Sequence, residues 1–173
     1  MNRLQLFLAL LTAFLSINVV AQTCDTSKTA STPASRFQDN GDGTLTDSKT
    51  GKVWLRCALG AQWNGSSCEN LTSTYSYRQA RSALDELNDQ KQAGRNNWRL
   101  PTADELAGIV ETRCFKPAVN LDVFSYSPES GFWTGDTEQG AVSRRAWIVH
   151  FLHGGRYIAN QSQSWRVRPV ADR

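Results

Sequence analysis

Four cysteines constrain the fold of this chain more than any other feature of its sequence. They are Cys24, Cys57, Cys68 and Cys114, and all of them follow an apolar N-terminal segment. An even number of cysteines in an exported chain predicts two disulfides, for which three connectivities are possible. A zinc site is the alternative. The sequence has no CxxC pair, however, and its two histidines lie far from the cysteines along the chain, so we expect disulfides.

The N-terminal segment has the pattern of a secretory signal peptide. Arg3 supplies a positive charge, residues 4–15 are almost entirely apolar, and residues 19–21 (VVA) offer a small-residue cleavage site. The apolar run is shorter than the about 20 residues that a membrane-spanning helix needs. We therefore expect residues 1–21 to be a signal peptide, with an uncleaved anchor as the alternative. The mature protein is expected to have no membrane span and to be secreted, periplasmic or at the cell surface.

The charge of the chain is small but uneven. Its formal net charge of +3 is too small to predict a nucleic-acid partner. After residue 140 the single acid is Asp172. The arginines in the same segment are Arg144, Arg145, Arg156, Arg166, Arg168 and Arg173. This basic C-terminal segment is suited to an anionic partner.

The order of the predicted elements indicates an α+β fold built on antiparallel sheet. Residues 22–35 are small and polar, which predicts a flexible leader, and the domain is expected to span residues 36–173. Two turn signals between short strands predict a three-stranded meander over residues 36–57. Its alternation places four side chains on one face, namely Phe37, Leu45, Val53 and Leu55.

Two capping boxes predict the starts of two helices. Ser76 begins the first helix with the pattern S-x-x-Q, and Thr102 begins the second with T-x-x-E. The apolar residues that recur at helical spacing in the first helix are Tyr77, Ala80, Leu84 and Leu87. Polar residues, among them Arg78 and Arg81, fill its other face. Apolar runs after residue 130 predict further strands.

Several segments occur in an order that resembles one known family. They are RFQDNGDGTLTDSKTGKVWLRC, WRLPTADEL, FKPAVNLDVF, FWTGD, AWIVHFLHGG and RVRPV. From about Arg36 to Val170 the chain resembles the Lcl C-terminal domain family, a bacterial module named for the end domain of a collagen-like surface adhesin. The resemblance implies a C-type-lectin-like fold, with two helices flanking small antiparallel sheets and long loops on one side. It also implies a surface setting and, from the adhesin, binding of sulphated polysaccharides.

The cysteine spacing predicts which pairs form. Cys57 and Cys68 enclose a local loop rich in Gly, Ser and Asn, so we expect them to pair, which leaves Cys24 for Cys114. Trp63 lies near the centre of this loop. It is either a plug over the core or an exposed contact residue.

The strongest binding signal is the combination of arginine and aromatic residues near the C-terminus. The candidate ligand-binding residues are Arg144, Arg145, Arg156, Tyr157, Trp165 and Arg166. Guanidinium groups match sulfate and carboxylate, and aromatic faces stack on sugar rings. The alternative is that Arg166 and Arg168 form the solvated face of a strand. Four tryptophans in apolar strand contexts are expected in the core, namely Trp54, Trp98, Trp133 and Trp147.

No catalytic set, metal site or cofactor is predicted. The acidic turn over residues 39–47 lacks the register of an EF-hand, and no Ser-His-Asp set is visible. The first functional hypothesis is an exported module, adhesin-like, that binds anionic or complex glycans. The second is a structural or protein-interaction subunit of a bacterial envelope or surface assembly. The third is an enzyme of the formylglycine-generating type, which the segment WRLPT resembles and which needs reactive cysteines.

Overall fold

The computed structural model describes residues 21–139 and 144–173. The predicted signal peptide therefore lies outside the described residues except for Ala21. The elements are β1 (Thr23–Cys24), β2 (Phe37–Asp39), β3 (Thr44–Asp47), β4 (Val53–Leu55), β5 (Gln62–Trp63), β6 (Cys68–Glu69), α1 (Tyr77–Asp89), α2 (Ala103–Ala107), β7 (Cys114–Phe115), β8 (Gly131–Thr137), β9 (Arg145–His150), β10 (Gly155–Asn160) and β11 (Val170–Ala171). Neither of the described α-helices is long and apolar enough to cross a membrane.

The strands form small antiparallel sheets, as expected for an α+β fold. The largest has the order β11-β4-β3-β2, so the predicted meander is confirmed and the last strand of the chain joins it. A second sheet has the order β10-β9-β8, and two short pairs, β1-β7 and β5-β6, lie outside these sheets. The two ends of the domain consequently share one sheet.

The buried side chains form two cores on opposite sides of β4. Phe37, Leu45 and Trp54 belong to the first core, whereas Val53 and Leu55 belong to the second. The prediction that Val53 and Leu55 share a face with Phe37 and Leu45 is therefore wrong. All three residues of β4 are buried, so alternation of apolar and polar residues does not reveal which face is which.

Both predicted helices are confirmed, together with their capping boxes. Ser76 caps α1, and the buried residues of this helix are Tyr77, Ala80 and Leu84. Thr102 caps α2, which is a short helix of 5 residues that ends at Ala107. Three of the four tryptophans expected in the core, at positions 54, 98 and 133, are buried. Trp147 is only partly buried.

The irregular segment between β7 and β8 is part of the core rather than a free loop. Val119 and Phe124 are fully buried, and the Phe124 ring lies 5.3 Å from that of Phe37 in an edge-to-face arrangement. Arg168 is also fully buried, which contradicts the alternative that it belongs to a solvated strand face. Its guanidinium lies 4.8 Å from the centre of the Phe124 ring and 5.7 Å from that of Phe132. Burial lowers the pKa of Arg168 to about 9, so it remains charged at neutral pH.

The structure contains two disulfides, Cys24–Cys114 and Cys57–Cys68. Such bonds are typical of proteins that fold outside the reducing cytosol, so they are consistent with an extracellular protein. The first bond spans 90 residues of sequence and joins β1 to β7, and the second spans 11.

The segment predicted as a flexible leader, residues 22–35, packs against the domain instead. The side-chain amide of Gln22 donates 2.6 Å hydrogen bonds to the carbonyls of Pro117 and Val119. Further along, Thr32 is buried, and its backbone N–H and its hydroxyl each donate a 2.9 Å hydrogen bond to Glu111. The low apolar content of this segment is compatible with order because its polar groups find partners inside the domain.

Glu111 makes the stability of this attachment dependent on pH. Burial of its carboxylate opposes ionisation, but hydrogen bonds from the backbone and hydroxyl of Thr32 and the backbone of Ser31 outweigh burial and hold its pKa below the ordinary value of 4.5. A pKa depressed in the folded state gives stability that is present above about pH 4.5 and lost as the pH falls through the folded pKa. Glu111→Gln is expected to cost about 1–3 kcal/mol at pH 7 and to flatten this acid dependence.

Urea unfolding at a series of pH values from neutral to acid measures this effect. Glu129→Gln, which changes an exposed glutamate, is the matched control and should reproduce the wild-type curve. Parallel stability curves for the wild type and Glu111→Gln would contradict the prediction.

Candidate functional site

The start of α1 and the start of β9 are held on one surface by a short series of backbone hydrogen bonds. The N–H of Tyr77 donates to the carbonyl of Gln161 at 3.0 Å, and the N–H of Gln161 donates to the carbonyl of Arg144 at 2.7 Å. Gln161 follows β10 directly, so one residue connects the helix to the second sheet. The exposed side chains in the first turn of α1 therefore lie close to Arg144.

Two adjoining cavities, of about 610 and 520 Å³, occupy this surface and share Arg78 and Gln161 among their lining residues. We call the combined depression the basic groove. Arg78 and Arg81 lie on α1, and Arg144 lies just before β9. The uncharged polar residues that line it are Ser76, Ser82, Thr137, Asn160, Gln161 and Ser162.

The charge of the basic groove is largely uncompensated. Asp85 is the single acid among its described lining residues. Within residues 21–139 and 144–173, none of Arg78, Arg81 and Arg144 forms an ion pair. All three are exposed. Guanidinium groups without a carboxylate partner are available to an anionic ligand, and a concave surface brings several of them to bear on the same ligand.

The six residues predicted to bind ligand do not form one stripe. Arg144 lines the basic groove, whereas Arg145 is occupied by Glu138 through hydrogen bonds of 2.7 and 2.8 Å. Arg156 donates a 2.5 Å hydrogen bond to Asp104, which lies on α2. Arg156 pairs with Val149 across the β9-β10 hairpin. Val149 lies four residues along β9 from Arg145, which places Arg156 about 13 Å from Arg145 along the strand.

The two predicted stacking residues lie on the other face of the β9-β10 hairpin from Arg156. Tyr157 is about half exposed, and its hydroxyl lies 3.0 Å from Nε2 of His153. Trp165 is partly buried and its ring packs against His150, with ring centres 6.0 Å apart. Burial, and after it the charge of the neighbouring His153, lower the pKa of His150 below its ordinary value.

Arg166 contributes to packing more than to the surface. Its guanidinium donates to the carbonyl oxygen of Thr72 at 2.5 Å and also to the hydroxyl of that residue. The alternation of residues 165–168 therefore does not separate a buried face from a solvated one. Of the six candidates, Arg144 lines the basic groove.

Arg78 and Arg81 are the groove residues that the sequence did not single out. They were predicted only as part of the polar face of the first helix. Two arginines three residues apart on that face were the available signal, because residues at this spacing are neighbours on a helix. The proximity of this face to Arg144 is a property of the fold, since at least 63 residues of sequence separate Arg144 from Arg78 and Arg81.

The acidic side chains of the 39–47 turn and the four cysteines, which could bind a metal ion or act as thiols, have other partners in the described part of the chain. In this part of the chain, no three or more His, Cys, Asp or Glu side chains cluster as a metal site would need. The acids of the 39–47 turn have protein partners instead: Asp39 pairs with Arg56 at 2.6 Å, and Asp47 pairs with Arg36 at 2.5 Å. All four cysteines are disulfide-bonded.

Comparison with known proteins places this architecture in a family. No curated protein matches the chain. Residues 43–171 match the profile of a family described as the Lcl C-terminal domain, which extends from the meander to the final strand and covers more than half of the chain. The chain belongs to the Lcl C-terminal domain family, as its sequence motifs predict.

Proposed function

We propose that this protein is an exported binding module for anionic glycans and that the basic groove is its binding site. The observation that carries the proposal is the convergence of Arg78, Arg81 and Arg144 on one depression without ion-pair partners among the described residues. The surrounding serine, asparagine and glutamine side chains supply donors and acceptors for hydroxyl groups. Sulfate or carboxylate groups of a polysaccharide match the guanidinium forks.

Two further features support a binding role within this proposal. The joining of β11 to the meander agrees with a C-type-lectin-like arrangement, which we propose for the fold. The disulfides occupy all four cysteines, so the thiol that a formylglycine-generating enzyme needs would first require reduction. We accordingly propose a non-catalytic function.

Substitution of the three groove arginines by alanine is expected to weaken binding to dextran sulfate about tenfold or more. Each exposed arginine contributes modestly, so their sum is measurable while each alone is small. Binding to immobilised dextran sulfate, with uncharged dextran as the reference surface, gives the affinity over a series of salt concentrations. The affinity of the wild type should fall steadily as salt rises, because salt screens the groove.

Arg156→Ala is the matched control, since it removes an exposed arginine that is already paired with Asp104. This variant should retain the affinity, and the triple variant should keep the wild-type melting temperature. An equal loss of dextran sulfate affinity in Arg156→Ala would show a general charge effect and would contradict the basic groove as the binding site. If dextran sulfate and an array of natural glycans do not bind, and one envelope protein co-purifies with the chain, a protein-interaction subunit is the better account.

A further inference from the structure

The loop closed by Cys57–Cys68 forms part of a second depression, which we call the Trp63 groove. Its cavity of about 400 Å³ is within the range of about 300–1,000 Å³ found for small-molecule sites. Its buried apolar lining residues include Leu55, Ala58 and Leu59. The polar and aromatic side chains among the lining residues are Asp42, Gln62, Trp63, Gln90 and Gln92.

Trp63 is partly exposed, yet its position is closely determined. The guanidinium of Arg56 lies 4.1 Å from the centre of the Trp63 ring, and Arg56 is itself 9% exposed and paired with Asp39. A Cβ atom at Gly43 would lie 3.1 Å from the Trp63 Cβ, so glycine at this position allows the close approach. Trp63 also stands opposite the disulfide-bonded Cys68 in the β5-β6 pair. An aromatic surface held in this way loses little freedom when a ligand stacks on it.

The polar side chains that line the Trp63 groove differ in kind from those of the basic groove, and Arg56, which packs against the Trp63 ring, is not among them. No lysine or arginine is among the described residues that line the Trp63 groove. Within the described parts of the chain, the side-chain amides of Gln62 and Gln92 form no hydrogen bond. An amide offers both donors and acceptors, which suits neutral hydroxyl groups, and Asp42 adds a carboxylate at the same cavity.

We propose that the Trp63 groove binds an uncharged sugar residue, with Trp63 as the stacking surface and the amides of Gln62 and Gln92 as hydrogen-bonding groups. The proposal rests on the proposed function only in that both sites take a glycan as ligand. The two sites use different residues. Both grooves border α1. Arg81 lines the basic groove and Gln90 lines the Trp63 groove, and these two residues are about 14 Å apart along the helix axis.

Indole N–H signals of ¹⁵N-labelled protein provide a direct test. The probes are maltohexaose, cellohexaose, laminarihexaose and chitohexaose at millimolar concentration. We expect the signal assigned to Trp63, identified by its absence in Trp63→Phe, to shift saturably with at least one probe and to do so equally at low and high salt. No shift of this signal with any of the four probes would overturn the proposal.

Variants separate this site from the rest of the surface. Trp63→Ala is expected to weaken binding of the active probe about two- to tenfold, since it removes the aromatic stacking surface. Trp147→Ala removes another partly buried tryptophan and should retain the affinity. Gln62→Ala combined with Gln92→Ala leaves the ring in place and should weaken binding as well, which provides a second test if Trp63→Ala does not fold.

The outcomes for the two sites are independent. Trp63→Ala should still bind dextran sulfate, and the triple arginine variant should still bind the neutral probe. An equal loss of neutral-probe affinity in Trp147→Ala, or full affinity in both groove variants, would refute the Trp63 groove while leaving the basic groove unaffected. Loss of dextran sulfate binding alone would bear on the basic groove only.

Discussion

Arg168→Ala is expected to lower the free energy of unfolding by about 3–5 kcal/mol. The Arg168 guanidinium donates to the carbonyls of Leu55 and Arg56 and, at 2.8 Å, to the hydroxyl of Ser127. Its removal leaves these buried acceptors without their donor and opens a cavity between Phe124 and Phe132. Relief of the buried charge offsets part of the cost. We expect the lost hydrogen bonds and the cavity to outweigh that relief because they affect several groups at once.

Chemical denaturation at neutral pH, followed by tryptophan fluorescence, measures this change. Arg173→Ala is the control, because it removes an exposed arginine two residues after β11 and should alter stability by less than about 0.5 kcal/mol. A loss below about 1 kcal/mol for Arg168→Ala would mean that desolvation of the charge cancels its hydrogen bonds. That outcome would contradict a structural role for this residue.

Removal of the Cys24–Cys114 bond by a double substitution to alanine is expected to destabilise the domain by about 4–5 kcal/mol. In the chain-entropy account the effect grows with the length of the closed loop, and this bond spans 90 residues. The Cys57–Cys68 bond spans 11 residues, so its removal should cost about 3 kcal/mol. The difference arises in the unfolded chain, where the longer connection excludes more conformations.

Thermal and denaturant unfolding of the two double variants, side by side under oxidising conditions, measures the difference. The Cys57/Cys68 variant should also lose neutral-sugar binding, because this bond adjoins Trp63 in the β5-β6 pair. The Cys24/Cys114 variant, where it remains folded, should retain both binding activities. A larger stability loss for the shorter bond would show that local packing rather than loop length controls the effect.

The local features of the fold were readable from the sequence because they depend on residues close together in the chain. Both capping boxes and the meander turns are of this kind, since a side chain and a backbone group a few positions apart decide them. The prediction of which face Val53 and Leu55 occupy was wrong because it depends on residues far away along the chain. The burial of β4 on both faces depends on two cores that distant segments supply.

The family, the two helices and the α+β order of elements could all be inferred from the amino-acid sequence. Which arginines are available to a ligand depends on the folded structure. Arg145, Arg156 and Arg166 each find an acid or an oxygen on another segment, whereas Arg144 meets Arg78 and Arg81 across the groove. An arginine is written the same way in a sequence whether its charge is paired or free. Pairing depends on distances of a few ångströms between segments that only the folded chain brings together.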